Sequence, residues 1–421
     1  MLTSRRPPGR GVAALLVAEV VSLTGSQLSA VALPWFVLTS TGSPSQMSWV
    51  MAAQFAPVAI FGLAAGSWAG RVGARRWMIL SDLCRAVLTA LVPVLYALGA
   101  LPLPLLLVLV FGIGTFFAPY LASQQAVLAG VLGEDERTLA RSGSLLQSAT
   151  RTAVLLGPPA ASALILLLGA PGVLLLDAAS FLVAAALVRW AVPVLPREGG
   201  AAIRGRTREG LAVLRRDRLL RYWTVGTLLT ESAWQALFAA VPLLVQLRFH
   251  SSVGMVGVLL AAFGGGALVG SLLATLCLRR VSALWLATAG KLLQALALVP
   301  LALGLPQWGL LLVLALSGVF NGLTNGPAAA VRLLRIPPEL RTLVLSGIMT
   351  ATLLGGTMGL VGIGVSFQAF GTQTPLTAIV VLQLVGTALF LCGSLRPSAR
   401  RDSPAPTADP ATASATATEP S

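Results

Sequence analysis

Apolar runs long enough to cross a bilayer recur from end to end of this chain, and no other feature restricts its folding so strongly. Inside hydrocarbon every backbone N–H and C=O needs a partner, which within one segment only a helix provides. A bilayer core about 30 Å thick takes roughly 20 residues of helix. Such runs occupy 11–38, 47–70, 77–98, 103–132, 139–168, 172–191, 222–247, 253–278, 282–303, 307–331, 342–367 and 375–395. The expected fold is therefore an all-α membrane protein with twelve transmembrane helices. Composition agrees: 10% of residues are charged, against about 25% in soluble domains, and the mean hydropathy is +0.86.

The loops alternate in charge. With the first span running inward to outward, 25 of the 29 Lys and Arg residues fall on the side that holds both termini. They include Arg5, Arg6, Arg10, Arg71, Arg75, Arg76, the group from Arg189 to Arg221, Arg279, Arg280, Arg332, Arg335 and Arg341. Arg248 alone lies on the other side. The excess of positive charge in cytoplasmic loops places both termini in the cytoplasm. It also accounts for the net charge of +15, so a lipid bilayer is the expected partner and nucleic acid is not.

Scarce residues exclude several chemistries. Lys291, the only lysine, precedes Leu292 rather than Ser or Thr, so there is no phosphate-binding loop. His250 is the only histidine and cannot make a two-histidine zinc helix. Cys84, Cys277 and Cys392 are odd in number and far apart, which argues against a disulfide framework or a metal site. No cofactor is expected, and the chain does not read as an enzyme.

The two halves of the chain repeat. Gly66-Ser67 returns as Gly270-Ser271, Arg75-Arg76 as Arg279-Arg280, and Arg137–Gly143 (RTLARSG) as Arg341–Gly347 (RTLVLSG), each 204 residues on. Six spans is an even number, so both halves enter from the same side and the repeat is parallel. The expected units are an N-terminal segment 1–10, a six-helix bundle 11–192, a linker 193–221, a second six-helix bundle 222–395 and a low-complexity tail 396–421. The stretch 210–220 in the linker has the pattern of an amphipathic helix, open to lying on anionic headgroups or to serving as a solvated connector.

Sequence motifs carry a family resemblance. The run 66–76 (GSWAGRVGARR) resembles the loop signature between the second and third spans of major facilitator transporters: Gly66, Ala69, Arg71, Gly73 and Arg75 match, while Gly70 replaces the usual aspartate. The runs 82–86 (DLCRA), 144–159 (SLLQSATRTAVLLGPP), 174–185 (LLLDAASFLVAA), 208–221 (REGLAVLRRDRLLR) and 336–347 (IPPELRTLVLSG) are similar to the branch holding macrolide-efflux pumps and the enterobactin exporter. The resemblance implies two bundles rocking about a central site, with spans one, four, seven and ten lining the cavity and spans three, six, nine and twelve outside. It implies a gate built on Gly66, Arg71, Gly73 and Arg75; Asp82 and Arg85, three apart on one helix face, supply an ion pair there in place of the missing loop acid. Topology anchoring is the plainer role for those arginines. Gly157-Pro158 resembles the start of the antiporter signature of the fifth span, with Ala161 and Ser162 where glycines usually follow.

An ionised side chain at mid-membrane costs roughly 2.5–3.5 kcal/mol, so charges inside spans mark function. Glu19, Arg151, Glu231 and Lys291 are such charges. Glu231 is the first candidate for carrying a coupling proton and Glu19 the second; a static pair of Glu231 with Arg151 is the alternative. Gln27, Gln147, Arg151, Trp234, Gln235, Asn321 and Asn325 are the candidates for the substrate cavity, grouped by helical spacing on faces that point inward if the fold is right. Lys291, on a nominally outer span, receives no site role, and Asp177 reads as a structural residue near the outer face.

The expected function is a monomeric secondary transporter of the bacterial cytoplasmic membrane. It exports a bulky amphipathic organic compound, such as a drug, a siderophore or a natural product, by proton antiport. A lysophospholipid flippase or uncoupled permease stays open as the alternative, with a membrane-embedded lipid-modifying enzyme or a non-transporting sensor further off.

Overall fold

The computed structural model describes residues 8–132, 136–192, 207–336 and 340–395. The first bundle comprises α1 (Pro8–Thr41), α2 (Pro44–Val72), α3 (Ala74–Ala97), α4 (Leu103–Leu132) and α5 (Glu136–Ala191). After a short α6 (Thr207–Arg216) the second bundle comprises α7 (Arg218–Leu243), α8 (Val253–Cys277), α9 (Ala283–Leu298), α10 (Gln307–Arg335), α11 (Arg341–Phe370) and α12 (Gln373–Ser394).

Among the described residues ten helical stretches are long and apolar enough to cross a membrane. One of them, Leu155–Trp190, has 36 residues, about 54 Å of helix at roughly 1.5 Å per residue and too long for one crossing. It breaks at Gly169, whose φ of 72° and ψ of 162° suit only glycine, and Pro171 follows. The fifth and sixth spans are therefore the two limbs of α5. With these two limbs and α2, itself 29 residues long, the architecture accommodates twelve crossings. One expected boundary moves. The seventh span begins at Arg218, inside the stretch assigned to the linker, because Asp217 caps it by accepting from the Leu220 N–H at 2.9 Å.

The amphipathic segment of the linker is α6. Its apolar residues Val213 and Leu214 pack on the core of the second bundle beside Leu219 and Val344, rather than facing lipid.

The two bundles share one packing pattern. In the first, α1 lies against α5, α2 against α4, and α3 against both α4 and α5. In the second, α7 lies against α11 and α12, α8 against α10, and α9 against α10 and α12. Small residues set the closest approach: a Cβ on Gly266 or Gly270 of α8 would strike the backbone of Ala315 or Val319, and one on Gly318 or Gly322 of α10 the backbone of Phe263 or Ala267. Reciprocal glycines four apart let two apolar helices touch backbone to backbone. The bundles meet along α2–α11 and α5–α8, two pairs that the repeat makes equivalent.

The core is divided unevenly along the membrane normal. Toward the arginine-poor side one apolar cluster runs through both halves, taking in Phe36, Met47, Leu237, Leu244, Leu310 and Leu360. Toward the arginine-rich side it separates into two, one around Leu15, Met78, Tyr120 and Val188 and one around Leu219, Trp223, Val344 and Phe390. The halves are sealed to each other at the arginine-poor end.

Candidate substrate cavity

Beneath that seal lies a cavity of about 430 Å³ between the bundles, within the range of small-molecule sites. α1 contributes Ser26, Gln27, Val31 and Pro34; α2 contributes Gln54 and Phe55; α4 contributes Phe117; α5 contributes Pro158. From the second bundle come Gln235, Phe238 and Pro242 of α7 and Phe263 of α8. Pro34 and Pro242 stand in corresponding helices near the sealed end, and α7 beyond Pro242 passes into a π-turn, Leu244–Arg248, a form that marks functional irregularity in helices.

Arg85 is the one charged side chain among the cavity's described lining. It comes from α3, a span expected to lie outside. That expectation is corrected for this side chain, which reaches inward between α1, α4 and α5. Its guanidinium lies 4.0 Å from the Phe181 ring centre and 5.4 Å and 5.7 Å from those of Phe117 and Tyr120, where cation–π attraction holds it. Its Nη2 donates to Ser26 Oγ at 3.1 Å. Asp82 is fully buried one turn away on α3 and makes the expected ion pair, 3.9 Å from the Arg85 guanidinium.

Two more buried acids complete this cluster. Glu19 accepts from Tyr120 Oη at 2.9 Å and from Gln124 Nε2 at 2.5 Å. Asp177 accepts from Ser29 Oγ at 2.5 Å and from Ser180 Oγ at 3.3 Å, pinning the second limb of α5 to α1 where Gly25 leaves room.

In the second bundle Glu231 accepts from Gln235 Nε2 at 3.3 Å, and the opposing charge is Lys291 of α9. Lys291, on a span expected to lie outside, thus turns toward the protein interior. Arg332, expected in a loop, lies within α10 and donates to Thr227 Oγ1 at 2.6 Å.

Of the sequence candidates, Gln27 and Gln235 line the cavity. Trp234 does not; it is buried behind the lining, its ring 5.5 Å from Phe238 and 4.7 Å from Phe263. Asn321 and Asn325 are also away from it, joined to each other at 2.8 Å on an exposed stretch of α10. Gly73 takes φ of 93° at the turn from α2 to α3, the conformation that calls for glycine there. Arg75 donates to the Arg189 carbonyl at 2.5 Å, tying that turn to the end of α5. Gly66, Arg71, Gln147 and Arg151 fall outside the residues whose side chains are described. Gly157 packs on Gln27 and Ser162 on Gly257, so the stretch carrying the fifth-span motif is a contact seam facing α1 and α8. Sequence reasoning missed the cavity lining of Phe117, Phe238 and Phe263, since an aromatic residue in an apolar span gives no sign of which way it faces.

Two helical bundles closed over a central, mostly apolar cavity define a membrane transporter. The family model of the Major Facilitator Superfamily matches residues 15–247 and 223–419, and the chain belongs to that superfamily. It is 30% identical over 192 residues to the multidrug efflux pump Tap of Mycolicibacterium fortuitum, an alignment spanning 45% of this chain and 46% of that one. With Tap of Mycobacterium tuberculosis strain H37Rv the identity is 26% over 91% of this chain and 93% of the other. With macrolide efflux protein A of Streptococcus pyogenes it is 25% over 76% and 80%. Solved structures with the same fold include a bacterial homolog of the human lysosomal transporter Spinster, inward-facing and unoccupied, at a TM-score of 0.72 and 14% identity over 93% of this chain and 98% of that one. The nucleoside transporter NupG gives 0.69 and 12% over 92% and 99%. The chain is thus a multi-pass bacterial membrane protein of a transporter family.

Proposed function

We propose that the protein exports bulky amphipathic organic compounds, drugs among them, across the cytoplasmic membrane by alternating access driven by proton influx. It acts as a monomer with both termini in the cytoplasm and has no nucleic-acid partner. The observation that carries this reading is the cavity between the halves: four phenylalanines, three prolines, three glutamines and one arginine suit a large, mostly apolar cargo better than a bare ion. The names of the efflux relatives favour export and drug-like cargo. The seal at the arginine-poor end corresponds to the cytoplasm-facing state, since arginine-rich loops are cytoplasmic.

Glu231 is the proposed proton carrier of the second bundle. Its partner Gln235 lines the cavity, so gain or loss of a proton changes a hydrogen bond at the cargo's edge. Inside-out vesicles under an imposed pH gradient test this with ethidium and a macrolide as probes. Uptake that needs the gradient, and that falls at least tenfold in Glu231→Gln, supports proton-coupled export. Equal uptake with and without the gradient would instead establish an uncoupled permease.

A further inference from the structure

Three carboxyls surround Arg85 in the first bundle, and they are not equally provided for. Glu19 receives two donors, from Tyr120 and Gln124. Asp177 receives one from Ser29 and shares the Ser180 hydroxyl with its own backbone carbonyl, the closer acceptor at 2.8 Å. Asp82 receives none: it is fully buried, neither of its oxygens has a hydrogen-bond partner, and its ion pair with Arg85 is loose, at 3.9 Å between nitrogen and oxygen. The Arg85 Nε is buried without a partner too. An ionised carboxylate without donors is the costly species in a low-dielectric interior. A proton entering this cluster therefore settles on Asp82 rather than on either of its equally buried but hydrogen-bonded neighbours.

Arg85 connects that event to the cavity, because it lines the cavity and bonds to Ser26, which also lines it. We propose that Asp82 is a second proton-carrying carboxyl, in the half opposite Glu231, and that Arg85 transmits its state to the cavity wall. This builds on the proton-coupled reading above. With the proton on Asp82, Arg85 stays stacked on Phe181 and bonded to Ser26. When the O–H bond breaks and the proton leaves to water, the bare carboxylate draws the guanidinium across the gap and off Ser26. The guanidinium keeps its charge throughout, and only the carboxyl gains or loses a proton. The groups facing Asp82 are Arg85 on its own helix, Glu19 from α1, Tyr120 from α4 and Asp177 from α5.

Infrared difference spectroscopy across a pH step, on the full chain in lipid nanodiscs, reads carboxyl protonation without any cargo. The expected result is a protonated-carboxyl band that titrates in the wild type, loses one component in Asp82→Asn and a different one in Glu231→Gln, shifts in Asp82→Glu and persists in Glu19→Gln. Survival of the whole band in Asp82→Asn overturns the proposal. Transport of ethidium into inside-out vesicles supplies a second readout. Asp82→Asn should lose gradient-driven accumulation at least tenfold while keeping downhill equilibration. Pairing it with Arg85→Gln should leave that loss in place; recovery in the neutral double variant would mean Asp82 only balances Arg85, and the proposal fails. If the wild type ignores the gradient, proton coupling itself is refuted, while the infrared result still decides where the proton binds.

Discussion

The two bundles share a repeat, yet their buried charges occupy different places. At the register of the repeat, Glu19, Asp82 and Arg85 of the first bundle become Trp223, Leu286 and Ala289 in the second. Where the first bundle holds an acid bonded to Tyr120, the second stacks Trp223 on Phe390 with ring centres 4.0 Å apart. In the other direction, Glu231 and Lys291 become Gln27 and Val87. The first bundle concentrates three acids around one arginine; the second sets one acid against Lys291, with Arg332 close by. The shared features are those that hold helices together at the bundle interface, α2 on α11 and α5 on α8. The features that differ are those that handle charge. Duplication supplied the interface between the bundles, and divergence supplied an acidic half and a more basic one.

The sharpest way to break this comparison is Arg85→Ala. If the acidic half is a single charge-balanced unit, removing the cation at its centre leaves buried acids uncompensated and costs about 3–5 kcal/mol. Thermal unfolding in detergent should show a large drop, partly relieved when Asp82→Asn is added. A small drop with no relief would mean the acids do not depend on Arg85. Next comes Gly270→Leu at the α8–α10 contact, where new side-chain atoms meet the Val319 backbone. Overpacking of this kind costs about 1–3 kcal/mol, seen in the same melting assay. Phe390→Leu, which removes the stack on Trp223, should cost about 0.5–1.5 kcal/mol beyond lost area. Asn325→Ala, exposed and away from the cavity, should stay within about 0.5 kcal/mol and leave probe uptake unchanged.

Much of the fold was legible because hydrophobicity, loop charge and repeat register are properties of the sequence itself. The spans and their parity follow from these, while the family resemblance rests on short motifs such as the run 66–76. Hydropathy does not tell a lipid-facing side from a protein-facing one, and that limit explains the misplaced residues. Arg85 and Lys291 lie on spans assigned to the outside, yet both turn inward, Arg85 onto three aromatic rings and Lys291 toward Glu231. The Asp82–Arg85 spacing was itself a sign, since an acid and a base one turn apart in an apolar helix need a protein interior. The asparagines of α10 are one turn apart but bond to each other on an exposed stretch, so spacing alone misled there. Helical spacing found cavity residues only where a polar face met the cavity, as at Gln27 and Gln235.

Distances between spin labels at the two ends of the bundles test the central claim, one cavity with alternating seals, most directly. In a background with Cys84, Cys277 and Cys392 replaced, Thr41→Cys with Ser252→Cys spans the sealed arginine-poor end, and Arg76→Cys with Arg280→Cys the arginine-rich end; all four positions are exposed. As the pH is stepped or a transported probe is added, the first distance should lengthen while the second shortens. Two distances that stay fixed, or that grow together, would contradict alternating access about this cavity.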